Sequence, residues 1–142
     1  VYGKSQMISF NQTDWRTKRK ESGGGILLDQ GIHMLDLIRY LSEETFEDIF
    51  SFIDNAFWNF DVEDNAYALM KSKSGVIGMI HSSATQWRHR FNLDINLDGG
   101  NIILGGILSG TKSYGSETLT IITADPENDR GDPKENMIKY NN

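Results

Sequence analysis

The sequence predicts an α+β fold: a mainly antiparallel open sheet of about six strands, with one long helix packed on one face. Three observations carry that expectation. A glycine triplet, Gly23-Gly24-Gly25, leads into an apolar run from Ile26 to Leu41, long enough for a helix of about four turns. Phe91, Leu93, Ile95 and Leu97 alternate with Asn92, Asp94, Asn96 and Asp98, the period of a strand with one buried and one wet face. Ser72-Lys73-Ser74-Gly75 separates two further apolar runs as a hairpin turn would.

The elements follow in order. Lys4 to Gln12 reads as a strand through Met7, Ile8 and Phe10, and Thr13 to Gly25 as a charged loop ending in glycine. The helix occupies Ile26 to Leu41. Gly31 inside it costs roughly 1 kcal/mol against Ala, so its presence points to close packing. Ser42 to Thr45 is a turn, and Phe46 to Trp58 a strand with room for a bulge. Asp64 to Lys71 and Val76 to Ser83 form the hairpin. The alternating strand Phe91 to Leu97 reverses at Asp98-Gly99-Gly100 and returns through Asn101 to Leu104. Glu117 to Thr123 is the last strand expected, and Asp125 to Asn142 reads as a polar tail holding both prolines.

At 142 residues the chain fits one domain. A net charge of −6 argues against a nucleic-acid surface. The basic cluster Arg16, Lys18, Arg19 and Lys20 is a solvated loop or contributes one residue to an anionic ligand. There are no cysteines, which excludes disulfides and thiolate metal sites. No stretch approaches the ~18 uncharged apolar residues of a membrane span, and no leader peptide is read, so the cytoplasm is the expected location.

Only a few polar side chains interrupt the helix. Asp29, His33 and Asp36 stand at i, i+4 and i+7 and share one face of an ideal α-helix. The remaining faces are apolar, which suits an interior or a domain junction. Carboxylates and an imidazole are costly there unless paired. A paired Asp and His in a partly dry cleft is suited to proton transfer, although the same spacing serves a structural ion pair equally well. The N–H groups of Gly23 to Gly25 either lead into the helix or approach an anion. Gly105-Gly106 to Lys112 imitates a phosphate loop, but its lysine comes one residue late and no helix follows. No Gly-x-Gly-x-x-Gly is present. His81 and His89 fall on strand candidates, and no ligands stand at metal-binding spacing.

The segment Ser22-Gly-Gly-Gly-x-Leu-x-Asp-x-Gly-x-His-x-x-Asp36 resembles the signature that opens the second domain of the Gfo/Idh/MocA oxidoreductases, the family of glucose–fructose oxidoreductase and inositol dehydrogenase. Asp14-Trp15-Arg16 is similar to the family's approach to those glycines. Val62-Glu63-Asp64-Asn65-Ala66 and Ser74-Gly75-Val76-Ile77-Gly78 resemble the paired strands that follow. About residues 5–123 are covered by the resemblance.

The resemblance implies a C-terminal domain, residues 1–124, that binds substrate and oligomerises. An N-terminal Rossmann domain would lie outside this chain, and 125–142 would be a tail or an incomplete segment. It implies His33 as the acceptor of the substrate hydroxyl proton and Asp29 as a substrate-binding residue; from the residues themselves, Arg16 and Trp15 are further candidate substrate contacts and Asp36 reads as holding the helix to a neighbour. Trp15 reads equally as core or interface. Arg16 suits a carboxylate or phosphate on the substrate. The implied cofactor is NAD or NADP, bound mainly by the absent domain, which would also bring a lysine to the same hydroxyl. The implied substrate is a sugar, polyol or nucleotide-sugar. The implied partner is another copy of the chain on the open sheet face, with Trp58 and Trp87 as interface material. The competing reading is a non-enzymatic α+β dimerisation module in which Asp29 and His33 are structural.

Overall fold

The computed structural model describes residues 15–86, 90–106, 116–125, 127 and 132–140. The strand expected at Lys4 to Gln12, together with Asp14, Trp87, His89 and Lys112, lies outside them. The chain divides into two compact units, residues 1–87 and 88–142. Both helix and antiparallel strands are present, as an α+β chain requires. The strands form two sheets instead of one: a three-stranded sheet in the order β1-β2-β3 and a four-stranded sheet in the order β4-β5-β6-β7.

The first unit begins with a 3-10 turn at Trp15–Thr17 and a one-turn helix, α1 (Arg19–Ser22), where a plain loop was expected. Gly23, at φ 80°, ends α1 in the left-handed region that glycine tolerates. The long helix then runs through residues 26–42, but its first part is a π turn, Leu27–Gly31, before α2 (Ile32–Ser42). The N–H of Ile32 reaches back five residues to the carbonyl of Leu27. Gly31 explains the packing here. A Cβ on it would lie 2.9 Å from Leu27 Cδ1 and 3.4 Å from Ser82 Cβ. The helix therefore rests directly on the sheet at a Gly31–Ser82 contact. The Ser82 hydroxyl, wholly buried, donates to the carbonyl of Ile26 at 3.3 Å.

β1 (Phe46–Asp54) carries the expected bulge, a register shift between Phe46 and Asp48. It stops at Asp54 and does not continue to Trp58, because the N–H groups of Ala56, Phe57 and Trp58 turn to the carboxylate of Asp64. β2 (Asn65–Ser72) and β3 (Ile77–Ser83) form the hairpin about the Ser72–Gly75 turn. Their alternation sorts the faces. Ala66, Met70, Ile80 and Ser82 are buried on the helix side, with Ile26 and Ala84 completing the core. Trp58, half-buried, packs against this core and donates its Nε1–H to the carbonyl of Ala84 at 3.0 Å.

The opposite face is apolar and bare. Register places Phe52, Tyr67 and His81 across one row and Phe50, Leu69 and Met79 across the next. Phe52 is 64% and Met79 77% exposed. Tyr67 and His81 stack with ring centroids 4.3 Å apart.

The second unit is a meander: β4 (Asn92–Leu97), β5 (Gly100–Gly105), β6 (Glu117–Thr123) and β7 (Lys134–Tyr140). β7 lies where a polar tail was expected, pairing Leu119 with Ile138 and Thr120 with Met137. Its Lys134, Glu135 and Lys139 mask the strand signal, and charges are what an edge strand carries to discourage further pairing.

Candidate functional site

The site is built from two segments, 15–22 and 25–33, tied to Asp61 and Glu63. Trp15 is half exposed, and the Arg16 guanidinium lies over its ring at 4.6 Å, a cation–π contact. Arg16 Nε also stands 3.6 Å from Asp29 Oδ1. The side-chain amide of Gln30 donates to Asp29 Oδ2 at 3.0 Å. Trp15, Arg16 and Asp29, three of the residues singled out in the sequence, are thus brought together.

His33 and Asp36 are not part of that contact set. Both side chains are exposed, and neither makes a hydrogen bond or ion pair among the described residues. The i, i+4 spacing puts Asp29 and His33 on one face only where the helix is regular α from Asp29 onward. The π turn at Leu27–Gly31 lengthens the turn that holds Asp29, so its carboxylate meets Arg16 and Gln30 while the imidazole of His33 stays open to a ligand.

In the glycine turn the N–H of Gly25 is taken by Glu63 and that of Gly23 by the carbonyl of Arg19 at 2.8 Å. Glu63 Oε1 accepts the N–H of Gly25 at 2.9 Å and of Leu27 at 3.3 Å, and the Glu63 carbonyl accepts the N–H of Ile26 at 3.1 Å. A helix start leaves such donors without partners inside the helix, and here Glu63 accepts three of them. The approach is close enough that a Cβ on Gly25 would fall 2.0 Å from the Glu63 carbonyl oxygen. Arg19 fastens the arrangement from the other side. Its backbone N–H donates to Asp61 Oδ2 at 3.2 Å, its Nε–H to the Asp61 carbonyl at 3.2 Å, and its Nη2 lies 3.8 Å from Glu63 Oε2.

Asp64 faces the other way. Its carboxylate accepts from the N–H of Ala56 at 2.9 Å, of Phe57 at 2.8 Å and of Trp58 at 3.0 Å, and from the Asn65 amide at 2.8 Å. Burial pushes the carboxyl upward, but the donors outweigh it and hold its pKa below the ordinary value. The sequence reading treated 62–66 as strand alone and missed the roles of Glu63 and Asp64. The available signal was two adjacent acidic residues beside an apolar strand, where burial demands donors.

Among the described residues no group of three or more His, Asp or Glu converges as a metal site would require, and no helix is long and apolar enough to cross a membrane.

Residues 2–103 match the family model described as the GFO/IDH/MocA C-terminal domain. A 1,5-anhydro-D-fructose reductase of Ensifer adhaerens is 27% identical over 106 residues, covering 74% of this chain and 32% of the reductase. Among solved structures, levoglucosan dehydrogenase in complex with NADH and levoglucosan superposes with a TM-score of 0.73 at 19% identity, over 95% of this chain and 36% of that one. Aldose-aldose oxidoreductase from Caulobacter crescentus, complexed with glycerol, gives 0.66 at 22% identity, over 92% and 36%. These likenesses show a shared fold, and the chain spans about a third of the length of each relative. With the family model covering most of its length, the chain belongs to the GFO/IDH/MocA C-terminal domain family.

Proposed function

We propose that this chain is the substrate-binding domain of an NAD- or NADP-dependent oxidoreductase acting on a hydroxyl of a sugar, polyol or nucleotide-sugar. The observation that carries the reading is the joining of Trp15, Arg16 and Asp29 at the head of a helix that presents an exposed His33. Oxidising an alcohol sends a proton from oxygen to a base while hydride leaves carbon. Imidazole is suited to take that proton near neutral pH. Asp29 and Arg16 are placed to bind neighbouring oxygens, and the Trp15 ring offers an apolar face to the C–H side of a sugar.

The cofactor itself finds little here. The glycine turn does not fit a pyrophosphate, since the N–H groups of Gly25, Ile26 and Leu27 are already bonded to Glu63. In this reading the cofactor is held mainly by a Rossmann domain outside this chain, as the family resemblance implies. Exposed Leu28 and Ile32 on the site helix supply apolar surface for a neighbouring domain.

The bare face of the three-stranded sheet is assigned to self-association, with Phe50, Phe52, Tyr67, Leu69 and Met79 as the contact surface. That face also favours the second reading, a dimerisation module without catalysis. A direct assay separates the two. The full-length protein carrying this domain should reduce NAD or NADP with a panel of sugars and polyols that includes levoglucosan. Its inability to oxidise any of them, in a folded preparation that binds nicotinamide, contradicts the enzymatic reading.

A further inference from the structure

We infer that Glu63 is a positioning residue for this site, setting through the glycine turn and Arg19 the geometry in which Arg16 meets Asp29. The inference rests on the reading of Trp15, Arg16, Asp29 and His33 as the substrate end.

Two neighbouring stretches, Arg19 and Gly25 to Leu27, converge on Glu63 from about forty residues away in sequence. It accepts three successive N–H groups, those of Gly25, Ile26 and Leu27, two through its carboxylate and one through its carbonyl. Asp29 follows at once, its own N–H bonded to the carbonyl of Gly25 at 3.0 Å. The origin of the turn that carries Asp29 is therefore fixed by Glu63. On the other side, Glu63 and Asp61 hold Arg19, three residues after Arg16. The Arg16–Asp29 approach, 3.6 Å, closes the ring. Glu63 is buried, and its hydrogen bonds and ion pair run to Gly25, Ile26, Leu27 and Arg19, so it acts through the segments it holds.

The side chain's length is the critical property. Gln keeps an acceptor oxygen at the same reach. Asp keeps the charge but falls one methylene short of the N–H pair. Ala removes both. The expected order of kcat/KM in the full-length enzyme is thus Glu, then Gln close behind, then Asp and Ala well below. A misplacement of about 1 Å in a substrate-positioning group costs on the order of 10²-fold, which is the fall expected for Glu63→Ala.

The test measures kcat and KM for Glu63→Gln, Glu63→Asp and Glu63→Ala on levoglucosan with NAD, at a temperature where circular dichroism shows each variant folded. Asp64→Asn serves as the control for stability alone, because Asp64 organises residues 56–58 and touches neither site segment. The inference expects Glu63→Ala and Glu63→Asp to lose kcat/KM, Glu63→Gln to recover most of it, and Asp64→Asn of similar melting temperature to retain it. Equal losses in Glu63→Ala and Asp64→Asn, or a normal kcat/KM in Glu63→Asp, overturn it. Should Glu63→Ala not fold, Glu63→Asp against Glu63→Gln decides. His33→Asn is assayed alongside: normal turnover there defeats the catalytic reading of His33, whereas a dead His33→Asn beside an active Glu63→Asp defeats only the positioning role.

Discussion

The two units of this chain are held together by different means. In the four-stranded sheet, β4 to β7, stability comes from a ladder of half-buried aliphatic residues on one face, Leu93, Ile95, Ile102, Leu104, Leu119 and Ile121, with Thr120 buried on the other face opposite Ile103. In the first unit six hydrophobic residues among those described are buried, Ile26, Val62, Ala66, Met70, Ile80 and Ala84, of which Ile26, Ala66 and Ala84 form one cluster. Much of the order there comes from buried polar groups, Glu63, Asp64 and Ser82, that take up backbone donors and carbonyls. The difference shows where the sequence concentrates chemistry. A ladder tolerates substitution by any residue of similar shape. A buried carboxylate requires one geometry, and the candidate site stands on one such carboxylate, Glu63.

If that contrast is right, the largest effect should come from the closest approach in the first unit. Gly25→Ala places a methyl carbon 2.0 Å from the Glu63 carbonyl oxygen, so backbone must move. The expected loss is at the upper end of overpacking, about 3 kcal/mol. Thermal unfolding of the variant measures it, and a melting temperature within error of the parent would remove the claim of a backbone clamp.

Asp64→Asn comes next, with an expected loss of about 1.5–3 kcal/mol, the range for hydrogen bonds to a charged group. Its pH dependence carries the sign. The folded-state pKa of Asp64 lies below its unfolded value, so its contribution is complete above an unfolded pKa of about 3.9. It is lost as pH falls through the folded value. Urea titrations at neutral pH and in acid should therefore show the gap between parent and variant narrowing in acid. A gap that stays constant with pH would assign the stabilisation to shape and not to charge.

A smaller effect on stability, but a clear one on assembly, is expected from the bare sheet face. Phe52→Asp replaces an apolar side chain that is 64% exposed, so the fold should be little changed. Sedimentation equilibrium should show the parent chain associating and the variant monomeric. A parent that stays monomeric at high concentration would contradict the assignment of this face.

The ladder half of the molecule was the more legible in sequence. β4 announced itself by strict alternation, and β6 was expected at the residues it occupies. The hairpin of β2 and β3 was marked by Ser72 to Gly75, and the long helix by its apolar run. What stayed hidden depended on contacts far apart in sequence. Nothing local announces a π turn at Leu27–Gly31, because it arises where Gly31 meets Ser82. β1 ends early through Asp64, ten residues away. β7 was obscured because Met137 and Ile138 are adjacent and do not alternate, while lysines flank them. In the site, residue identities were legible and their pairing was not. Asp29 was expected beside His33, and it meets Arg16 and Gln30 instead.

The central claim is that this small, polar-braced unit carries the proton-accepting group of an oxidoreductase, and His33→Asn in the full-length enzyme tests it most directly. Asn keeps polarity and approximate size without an imidazole's basicity. The side chain is exposed and makes no hydrogen bond among the described residues, so the fold should be unaffected. Loss of a general base lowers turnover by on the order of 10²–10⁴-fold. The account predicts a fall of kcat in that range with an unchanged melting temperature. A kcat near that of the parent, on the same substrate and at the same pH, would contradict it.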